Sequence, residues 1–509
     1  MLHSLFDPLC IFISVVLGLL AFDSSTAVGE VLLSDGFEAD PSASGWIRSG
    51  PGATWTATES AAGAHSLMAD SDTWSSPLLE TEPLHWYRLS FKSKAPGTVT
   101  NIGSIGYAYW SAVFYDANGV QLNDDQYSSV LQSSGWVSNE FRIRAKHRAD
   151  PGGILAPVRL KVSFHPLGNQ PLYIDDVLVE DTAIEEVAAW ADSLYESLPA
   201  QLDYVPKSDR WQRIPQTIQK LRTAQSLRIV MLGDSVQADT ANAPLDALLQ
   251  RAYPGSRIEL ISSTKGGTGV GYFKDHVAEY VTDYLPDLLM IGGISHPDDM
   301  SAFQSVIDQV RAHDSTNGRM TEILIQTKAW SSNNNFGNYF LTPEMRELDQ
   351  DAALNPTIPD NYRGHLLSLA HTNGIEYLDM TGIAAEFIYG RAAAAGVGAP
   401  ANANGDPYSF WLRDWVHSND YGKQILGREL EIYFAPPPSL SIGRTQTGNF
   451  VLSWPGYATG YALEFTDELQ PPVNWGPLAQ SSALINGRRR LSLAMPPAIL
   501  RQFYRLTKP

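Results

Sequence analysis

The sequence contains a single cysteine among its 509 residues, and that residue, Cys10, lies inside an apolar N-terminal stretch. Once this stretch is removed, the remaining chain has no thiol. Disulfides, thiol catalysis and a cysteine-ligated zinc site are therefore excluded from the mature chain. The domains must depend on their hydrophobic cores, and 44% of the residues are hydrophobic.

Long hydrophobic runs are also scarce. The run at the N-terminus, Pro8–Phe22 (PLCIFISVVLGLLAF), is too short to span a bilayer comfortably. Small residues follow at Ser25–Ala27, as at a signal-cleavage site, so we predict a secretory signal over residues 1–27. The usual basic segment before the run is missing, which leaves a retained membrane anchor as the alternative. The signal predicts a secreted protein, extracellular or periplasmic, with no membrane contact after its removal.

Basic residues are in deficit. The chain has 36 Lys and Arg against 55 Asp and Glu, which gives a formal net charge of −19 at pH 7. Such a surface repels nucleic acid and anionic membranes, so we expect neither as a partner. The acidic excess otherwise indicates a solvated surface.

The rest of the chain divides into four regions by its periodicity. Turn-separated runs with period-two alternation, such as HWYRLSFKSKA, predict a β-sandwich over residues 30–182. Apolar residues at helical spacing predict a helical connector over 183–225. Strand and helix patterns alternate over 226–435, and their continuous apolar strands predict a parallel sheet covered on both faces. After the proline-rich linker APPPS, residues 436–509 form a small β module.

The first strand pattern of the alternating region, LRIVMLGDS, runs directly into Gly233-Asp234-Ser235. A serine at this place lies beyond the carboxyl end of a parallel strand, where ligands bind in such sheets. A serine nucleophile needs a base and a group that orients the base. Asp414 and His417 provide both, three residues apart and just before the last predicted helix. The alternative for Ser235 alone is a turn or a helix cap.

In this order and at this spacing, the two motifs resemble those of the SGNH (GDSL-type) hydrolases, over residues 226–435. Between them, STKGGTGVG follows the second strand pattern, where the family keeps an oxyanion-hole glycine. PDLLMIGGIS stands in the place of the family's Gly-x-Asn block. The resemblance implies a central α/β domain, a three-layer flavodoxin-like parallel sheet, and an ester hydrolase with no cofactor for catalysis.

The family's roles carry over to this chain as implications of the resemblance. Ser235 would be the nucleophile, His417 the general base, and Asp414 the group that orients His417. The oxyanion would accept hydrogen bonds from the backbone N–H groups of Ser235 and Gly267. Gly269 is the alternative to Gly267, because GGTG aligns in two ways, and both glycines could equally serve a tight turn.

One block departs from the family. The chain has Gly293-Ile294-Ser295, followed by His296, where Gly-x-Asn is usual. The asparagine amide that would be the third oxyanion donor is absent. Either Ser295 or His296 replaces it, or the hole has two donors. The alternative for His296 is a surface position at a helix entry.

The N-terminal β region resembles the galactose-binding-like jelly rolls of carbohydrate-binding modules, through SDGFEADPSASGW and LYIDDVLVED at its two ends. Such folds often hold a structural calcium where the ends meet. Asp35, Glu38, Asp175 and Asp176 offer the oxygen ligands that this ion prefers, although they could also cap turns. Five aromatic residues could form either a sugar-stacking platform or core: Trp46, Trp55, Tyr107, Tyr109 and Trp110. The C-terminal module resembles small fibronectin-like appendages of secreted bacterial enzymes.

Together these features predict a secreted serine esterase that removes acyl groups, chiefly acetyl, from carbohydrate. Its partner would be an acylated carbohydrate or another small ester. Two alternatives remain: a lipase-like esterase, and a glycan-binding protein that has lost activity with the missing asparagine. The sequence does not identify the sugar, the linkage, the acyl group or the oligomeric state.

Overall fold

The structure, a computed structural model, describes most of the chain between residues 29 and 507. The residues outside this description are 1–28, 97–107, 123–125, 131–132, 151–152, 167–169, 294–298, 331–340, 349, 351–357, 399–409, 413–416, 446–448, 459–460, 479, 486, 494–501 and 508–509. Several predictions therefore lie outside it, namely the signal segment 1–27, Tyr107, Ser295, His296 and Asp414. No helix in the described part of the chain is long and apolar enough to cross a membrane.

The N-terminal region is β-rich, as its alternating pattern predicts. Its strands are β1 Val31–Asp35, β2 Ile47–Arg48, β3 Ala53–Thr56, β4 Ser66–Ala69, β5 Trp74–Ser75, β6 Leu79–Glu80, β7 Trp86–Ala95, β8 Tyr109–Tyr115, β9 Gln126–Ser129, β10 Ser133–Arg144, β11 Arg148–Asp150, β12 Gly153–Leu155, β13 Arg159–His165 and β14 Leu172–Thr182. One antiparallel sheet has the order β10-β7-β14-β4-β3, with β1 on β14, and the other has β2-β5-β13-β8-β9, with β6 on β13. The two sheets share one hydrophobic core.

Two helices connect this sandwich to the next domain, α1 Ile184–Ser197 and α2 Pro215–Arg222. Buried carboxylates of the next domain hold the second helix in place. Glu376 accepts two backbone N–H groups of the preceding loop, at 2.7 and 3.0 Å. Glu322 accepts two from the first turn of α2, at 2.8 and 2.6 Å. The connector is therefore part of the following domain's packing.

A parallel sheet forms the centre of that domain. Its strands are β15 Ser226–Gly233, β16 Arg257–Thr264, β17 Leu288–Ile291, β18 Glu322–Gln326 and β19 Glu376–Leu378. Its helices are α3 Ser235–Ala241, α4 Leu245–Ala252, α5 Val270–Phe273, α6 Val277–Tyr280, α7 Met300–Asn317, α8 Tyr362–Asn373, α9 Met380–Phe387 and α10 Asp420–Phe434. The parallel strands have the order β16-β15-β17-β18-β19, which is the 2-1-3-4-5 order of flavodoxin-like sheets.

Both faces of this sheet are covered, as its apolar strands predict. Along β15, Ile229 and Met231 pack into one hydrophobic cluster, whereas Val230 and Leu232 pack into another on the opposite face. All four are fully buried. The alternation follows from the pleat, which sends successive side chains to opposite faces.

One predicted helix is broken. The pattern YFKDHVAEYVTDY predicts a single helix, but the structure has α5, α6 and a short 3₁₀ turn, Thr282–Tyr284. The hydroxyl of Ser263 in β16 donates to the carbonyl of Tyr280. A continuing α-helix would use that carbonyl for the N–H of Tyr284, which bonds to Val281 at 3.2 Å instead. A tertiary contact therefore overrides the local periodicity.

Buried charges hold three helices of the domain together. Arg251 of α4 and Arg428 of α10 each pair with Glu431, at 2.6 Å in both cases. Both arginines also pair with Asp192 of α1. Because each charge has two partners, the network offsets the cost of removing these groups from water.

The C-terminal module consists of two small sheets. Its strands are β20 Ser441–Arg444, β21 Phe450–Pro455, β22 Ala462–Thr466, β23 Gly476–Pro477, β24 Ala483–Ile485, β25 Arg488–Leu493 and β26 Phe503–Thr507, in the orders β20-β21-β25-β24 and β23-β22-β26. Trp454 is buried in its small core. Tyr457 packs against the core of the α/β domain and donates its hydroxyl to the Pro436 carbonyl at 3.0 Å.

Candidate active site

The predicted nucleophile lies at the carboxyl end of the central strand. β15 ends at Gly233, and Ser235 is the first residue of α3. The buried side chain of Asp234 caps this helix by accepting the N–H of Val236 at 2.9 Å. Ser235 is half-buried, so its hydroxyl is held at the edge of the sheet and remains accessible.

Gly233, two residues before Ser235, is required for close packing and not for a sharp turn of the backbone. A sharp turn is the sequence-based interpretation of Gly233, but its φ angle is not in the left-handed region. A Cβ atom at Gly233 would lie 2.0 Å from the carbonyl oxygen of Gly292, just after β17. The position therefore needs glycine because two chain segments approach each other closely beneath the nucleophile.

The structure brings the predicted base to the predicted nucleophile. His417 Nε2 lies 2.7 Å from Ser235 Oγ, although the two residues are 182 positions apart in the chain. The next residue, Ser418, is anchored: its backbone N–H donates to Asp239 Oδ2 at 2.8 Å. Asp239 is buried on α3, four residues after Ser235, so it lies on the same face of that helix. One helix thus carries the nucleophile and the anchor for the segment that bears the base.

Asp414, the predicted orienting group, lies outside the described residues, so its role stays a prediction. The chain on either side of it is placed. Leu412 and Ser418 form an antiparallel β-bridge, and Asn419 caps α10 through a 3.0 Å bond to the N–H of Gly422. These contacts fix the chain immediately after His417.

The two candidate oxyanion glycines differ in conformation. Gly267 has a φ of 68°, which favours glycine, and open space where a Cβ atom would be. Gly269 has extended backbone and precedes α5 as its N-cap. Gly266, which the sequence interpretation did not single out, is close to the nucleophile, since a Cβ atom there would be 3.6 Å from Ser235 Cβ. The loop is tied to the nucleophile turn by a 3.0 Å bond from Lys265 N–H to the Gly233 carbonyl.

Of the block that stands in the place of Gly-x-Asn, only Gly293 belongs to the described residues. Gly293 has a φ of 57°, and a Cβ atom there would lie 2.5 Å from the backbone N of Gln237 in α3. Gln237 is fully buried and accepts a 2.6 Å bond from the Gln326 side chain, at the end of β18. The end of β17 is therefore pressed against the nucleophile helix. The donor roles of Ser295 and His296 stay predictions.

A buried lysine near this site was missed from the sequence. Lys328 follows β18 and is 2% exposed. Burial lowers its pKa to about 8, and the neighbouring charge of Asp234 acts in the opposite direction. The sequence signal was a lysine two residues after the apolar strand EILIQ. A cation near Asp234 places positive potential close to the nucleophile turn.

The four carboxylates of the predicted calcium site adjoin one another but already have partners. β1 and β14 pair so that Asp35 lies opposite Val177, next to Asp176. Asp35 accepts three hydrogen bonds, Asp175 accepts three backbone N–H groups, and Glu38 accepts those of Ala64 and His65. Asp176 pairs with Lys92 at 2.8 Å. Within the described residues, no group of three or more His, Cys, Asp or Glu side chains is arranged to hold a metal. Calcium would have to displace these partners, so its binding stays a prediction.

The aromatic residues of the sandwich divide between core and surface. Trp46 and Trp110 are 3% exposed and belong to the core, while Trp55 is 37% exposed. Tyr109 is half-buried and stacks on His165, with ring centroids 4.3 Å apart, and Tyr127 meets Tyr109 edge-on. We call Tyr109, Tyr127 and His165 the aromatic patch.

One of the three strands that carry the aromatic patch also contacts the segment after His417. Ser128, which follows Tyr127 in β9, donates its hydroxyl to Asp420. Asp420 begins α10, three residues after His417. Burial lowers the pKa of His165, which favours its neutral form. The patch is thus an uncharged, ring-bearing surface. It lies on the face of its sheet opposite to the Ser128 side chain, because successive side chains of a strand point to opposite faces.

Comparisons with known proteins give partial likenesses. No family model and no curated protein matches the chain. Similar solved structures include a two-domain esterase active on acetylated mannans (11% identity, 61% of this chain and 100% of the other, TM-score 0.32). They also include an acetyl xylan esterase (17% identity, 40% of this chain and 98% of the other, TM-score 0.26). A third is a xylan-binding domain from Paenibacillus barcinonensis (15% identity, 30% of this chain and 96% of the other, TM-score 0.23). At these TM-scores, the functional assignment depends on the chain's own geometry.

Proposed function

We propose that this protein is an SGNH-type serine esterase that deacylates carbohydrate, chiefly by removing acetyl groups. The observation that carries the proposal is the 2.7 Å contact between Ser235 Oγ and His417 Nε2 at the carboxyl end of a parallel sheet. A serine beside an imidazole at this edge is the arrangement that acyl transfer requires.

In the first half of the proposed reaction, Ser235 Oγ attacks the ester carbonyl carbon while His417 Nε2 takes the hydroxyl proton. The C–O bond to the sugar then breaks, and His417 returns the proton to the departing sugar hydroxyl. The products of this half are the deacylated sugar and an acyl group on Ser235. Asp414 is proposed to accept the Nδ1–H of His417 and to stabilise the imidazolium.

In the second half, water attacks the acyl-enzyme. His417 takes a proton from the water and passes it to Ser235 Oγ as the acyl bond breaks, which releases the carboxylic acid and restores the enzyme. This cycle consumes one ester and one water and requires no cofactor.

The oxyanion of both tetrahedral intermediates is proposed to accept the N–H groups of Ser235 and Gly267, with Gly269 as the alternative. A third donor would come from Ser295 or His296. Removing one such donor typically costs about a hundredfold to a thousandfold in kcat. Ser295→Ala and His296→Ala therefore distinguish a three-donor hole, in which one variant loses activity, from a two-donor hole, in which neither does.

Carbohydrate is the proposed substrate class because the aromatic patch offers rings and polar groups for sugar binding on the sandwich, whose strand β9 also contacts the segment after His417. Aromatic rings with polar edges bind the apolar faces of sugar rings while hydrogen-bonding their hydroxyls. The hydroxyl of Ser111, 2.8 Å from His165 Nε2, and that of Thr73, 3.2 Å from Nδ1, add such polar groups. Secretion through the signal at residues 1–27 would place the enzyme where polysaccharides occur.

A calcium ion at Asp35, Glu38, Asp175 and Asp176 is a separate proposal with no role in catalysis. An ion that binds only the folded sandwich would raise its melting temperature. A melting temperature that EDTA leaves unchanged, with no metal found by elemental analysis, would exclude it.

The first experiment is Ser235→Ala, with p-nitrophenyl acetate and acetylated xylan as substrates. We expect activity to fall by more than about a thousandfold, and His417→Ala to act similarly, because such residues work as a unit. Circular dichroism and thermal melting check that both variants remain folded. Wild-type turnover in folded Ser235→Ala would exclude Ser235 as the nucleophile.

A substrate comparison separates the alternatives. The proposed esterase releases acetate from acetylated xylan or mannan faster than it hydrolyses long-chain esters, and a lipase-like esterase shows the reverse order. A binding protein without activity hydrolyses neither, although it binds the glycan. In that case Ser295→Asn, which restores the family's amide, tests whether the missing donor is the reason.

A further inference from the structure

The catalytic sheet is extended by strands from the N-terminal sandwich. β11 pairs in parallel with β16 at Arg148 and Ser262, and β12 pairs with β11 in a hairpin. The seven-stranded sheet therefore has the order β12-β11-β16-β15-β17-β18-β19. A segment that the sequence assigns to the sandwich thus forms an edge of the hydrolase sheet.

Arg148 reaches the loop beside the nucleophile. Its side chain is 7% exposed, and its guanidinium donates to the Thr264 carbonyl at 3.2 Å. Thr264 is the last residue of β16 and pairs with Gly233 of β15. The loop with Gly266 and Gly267 begins immediately after it. A guanidinium on this carbonyl therefore fixes the direction in which the loop leaves the strand.

Two further contacts from the sandwich reach the other catalytic segments. Lys146 bonds to Asn242, the residue that ends the nucleophile helix α3. A cation at this helix end is also favoured by the helix dipole. Ser128 bonds to Asp420 at the start of α10, close after His417. Side chains of the sandwich thus contact three places: the end of the nucleophile helix, the last residue of the strand before the loop with Gly266 and Gly267, and the segment after the base.

We propose that Arg148 is a positioning residue for the glycine loop, Lys265–Gly269, and that the sandwich is in this way part of the hydrolase active site. The expected change in kcat rests on the proposed esterase function. The expected change in hydrogen exchange of the glycine loop does not. Arg148 does not touch the substrate. It acts by holding the backbone N–H groups that would bind the oxyanion, and such preorganised donors are effective only when their geometry is fixed.

The test compares Arg148→Ala with Arg148→Lys and with a matched control, Arg159→Ala. Arg159 also donates to a backbone carbonyl, that of Ala117 at 2.7 Å, but this contact lies within the sandwich. Hydrogen exchange is measured on peptides that cover Lys265–Gly269, together with kcat and KM on p-nitrophenyl acetate. Thermal melting shows whether each variant is folded.

We expect faster exchange at Lys265–Gly269 in Arg148→Ala, with kcat lower by about 10- to 100-fold and KM little changed. Arg148→Lys keeps a donor for the carbonyl, so it should recover most of the protection and activity. Arg159→Ala should change neither. Unchanged exchange in the glycine loop of folded Arg148→Ala overturns the proposal, as does an equal effect of Arg159→Ala.

Hydrogen exchange and ester hydrolysis together distinguish a failure of the positioning role of Arg148 from a failure of the proposed esterase function. A wild type that hydrolyses no ester contradicts the proposed function, and the exchange comparison still decides the role of Arg148. A wild type that hydrolyses esters, with a glycine loop that does not respond to Arg148→Ala, contradicts only the positioning role. If Arg148→Ala is unfolded, Arg148→Lys and Arg148→Gln replace it in the same comparison.

Discussion

The two β modules that flank the α/β domain are attached to it in different ways. The N-terminal sandwich contributes two strands to the central sheet of the α/β domain, and its Arg144 pairs with Asp246 of α4 at 2.9 Å, with both side chains 1% exposed. The C-terminal module follows a proline-rich linker and contacts the domain through Tyr457. A flanking position in the sequence therefore does not tell whether a module is an appendage or part of the catalytic unit.

The physical difference lies in what separation would expose. Undocking the sandwich would leave Arg144 and Asp246 without each other, and the Trp86 indole without its 2.9 Å bond to Asp246. Removing one partner of such a pair from the docked protein is costly, because the remaining charge stays in a medium that solvates it poorly. At Tyr457, separation removes apolar contacts and exposes an aromatic ring, which is a smaller electrostatic change.

The largest expected effect is at the buried pair. Arg144→Ala leaves the Asp246 charge buried and should lower the free energy of unfolding by about 3–5 kcal/mol. Chemical denaturation followed by circular dichroism measures this loss. The matched change at the other interface is Tyr457→Phe, which removes one neutral hydrogen bond and should cost about 0.5–1.5 kcal/mol. Equal losses from the two variants would contradict the difference between the modules.

The next effect concerns a buried carboxyl group inside the α/β domain, and its size depends on pH. Glu429 of α10 is fully buried, neither carboxylate oxygen has a hydrogen-bond partner among the described residues, and burial raises its pKa well above the ordinary value. The folded state therefore keeps a proton that the unfolded state releases above about pH 4.3. Stability from this group is full below that pH and is lost as the pH rises towards the folded pKa.

Glu429→Gln removes this pH dependence. The variant should become more stable than the wild type by up to about 1.4 kcal/mol per pH unit above pH 5. Melting curves from pH 5 to pH 8 measure the difference. Parallel pH profiles for the two proteins would mean that Glu429 is ionised in the folded state.

The smallest expected effect is on activity when the C-terminal module is removed. A chain that ends at Ser439 should keep kcat/KM on p-nitrophenyl acetate within about twofold, because no residue of that module is placed in the proposed mechanism. The melting temperature of the truncated chain is the control for its folding. A folded truncated chain with tenfold lower kcat/KM would show that this module also supports catalysis.

The sequence was sufficient to predict the parts of the site that depend on local pattern and chemistry. LRIVMLGDS predicts a buried strand followed by a serine, and the structure has β15 and Ser235 at these positions. The need of that serine for a base pointed to His417, and the structure places His417 Nε2 2.7 Å from Ser235 Oγ. The catalytic roles of the two residues stay predictions. Parallel strands covered on both faces followed from their continuous apolar runs.

Features that depend on distant partners could not be predicted. β11 has three residues, and only its pairing with β16 makes it part of the central sheet of the α/β domain. Gly233 is needed because of Gly292, 59 positions later, and the break before the Thr282–Tyr284 turn depends on Ser263. Lys328 is buried by tertiary packing, although lysine is a residue that sequence patterns place at the surface.

The central claim, that Ser235 forms an acyl-enzyme, is tested most directly by trapping the intermediate. Wild-type protein is mixed with p-nitrophenyl acetate, quenched in acid, digested and examined by mass spectrometry. We predict one acetyl group on Ser235, a matching burst of p-nitrophenol, and neither in Ser235→Ala. An acetyl group on another residue, or turnover that persists in folded Ser235→Ala, would contradict the account.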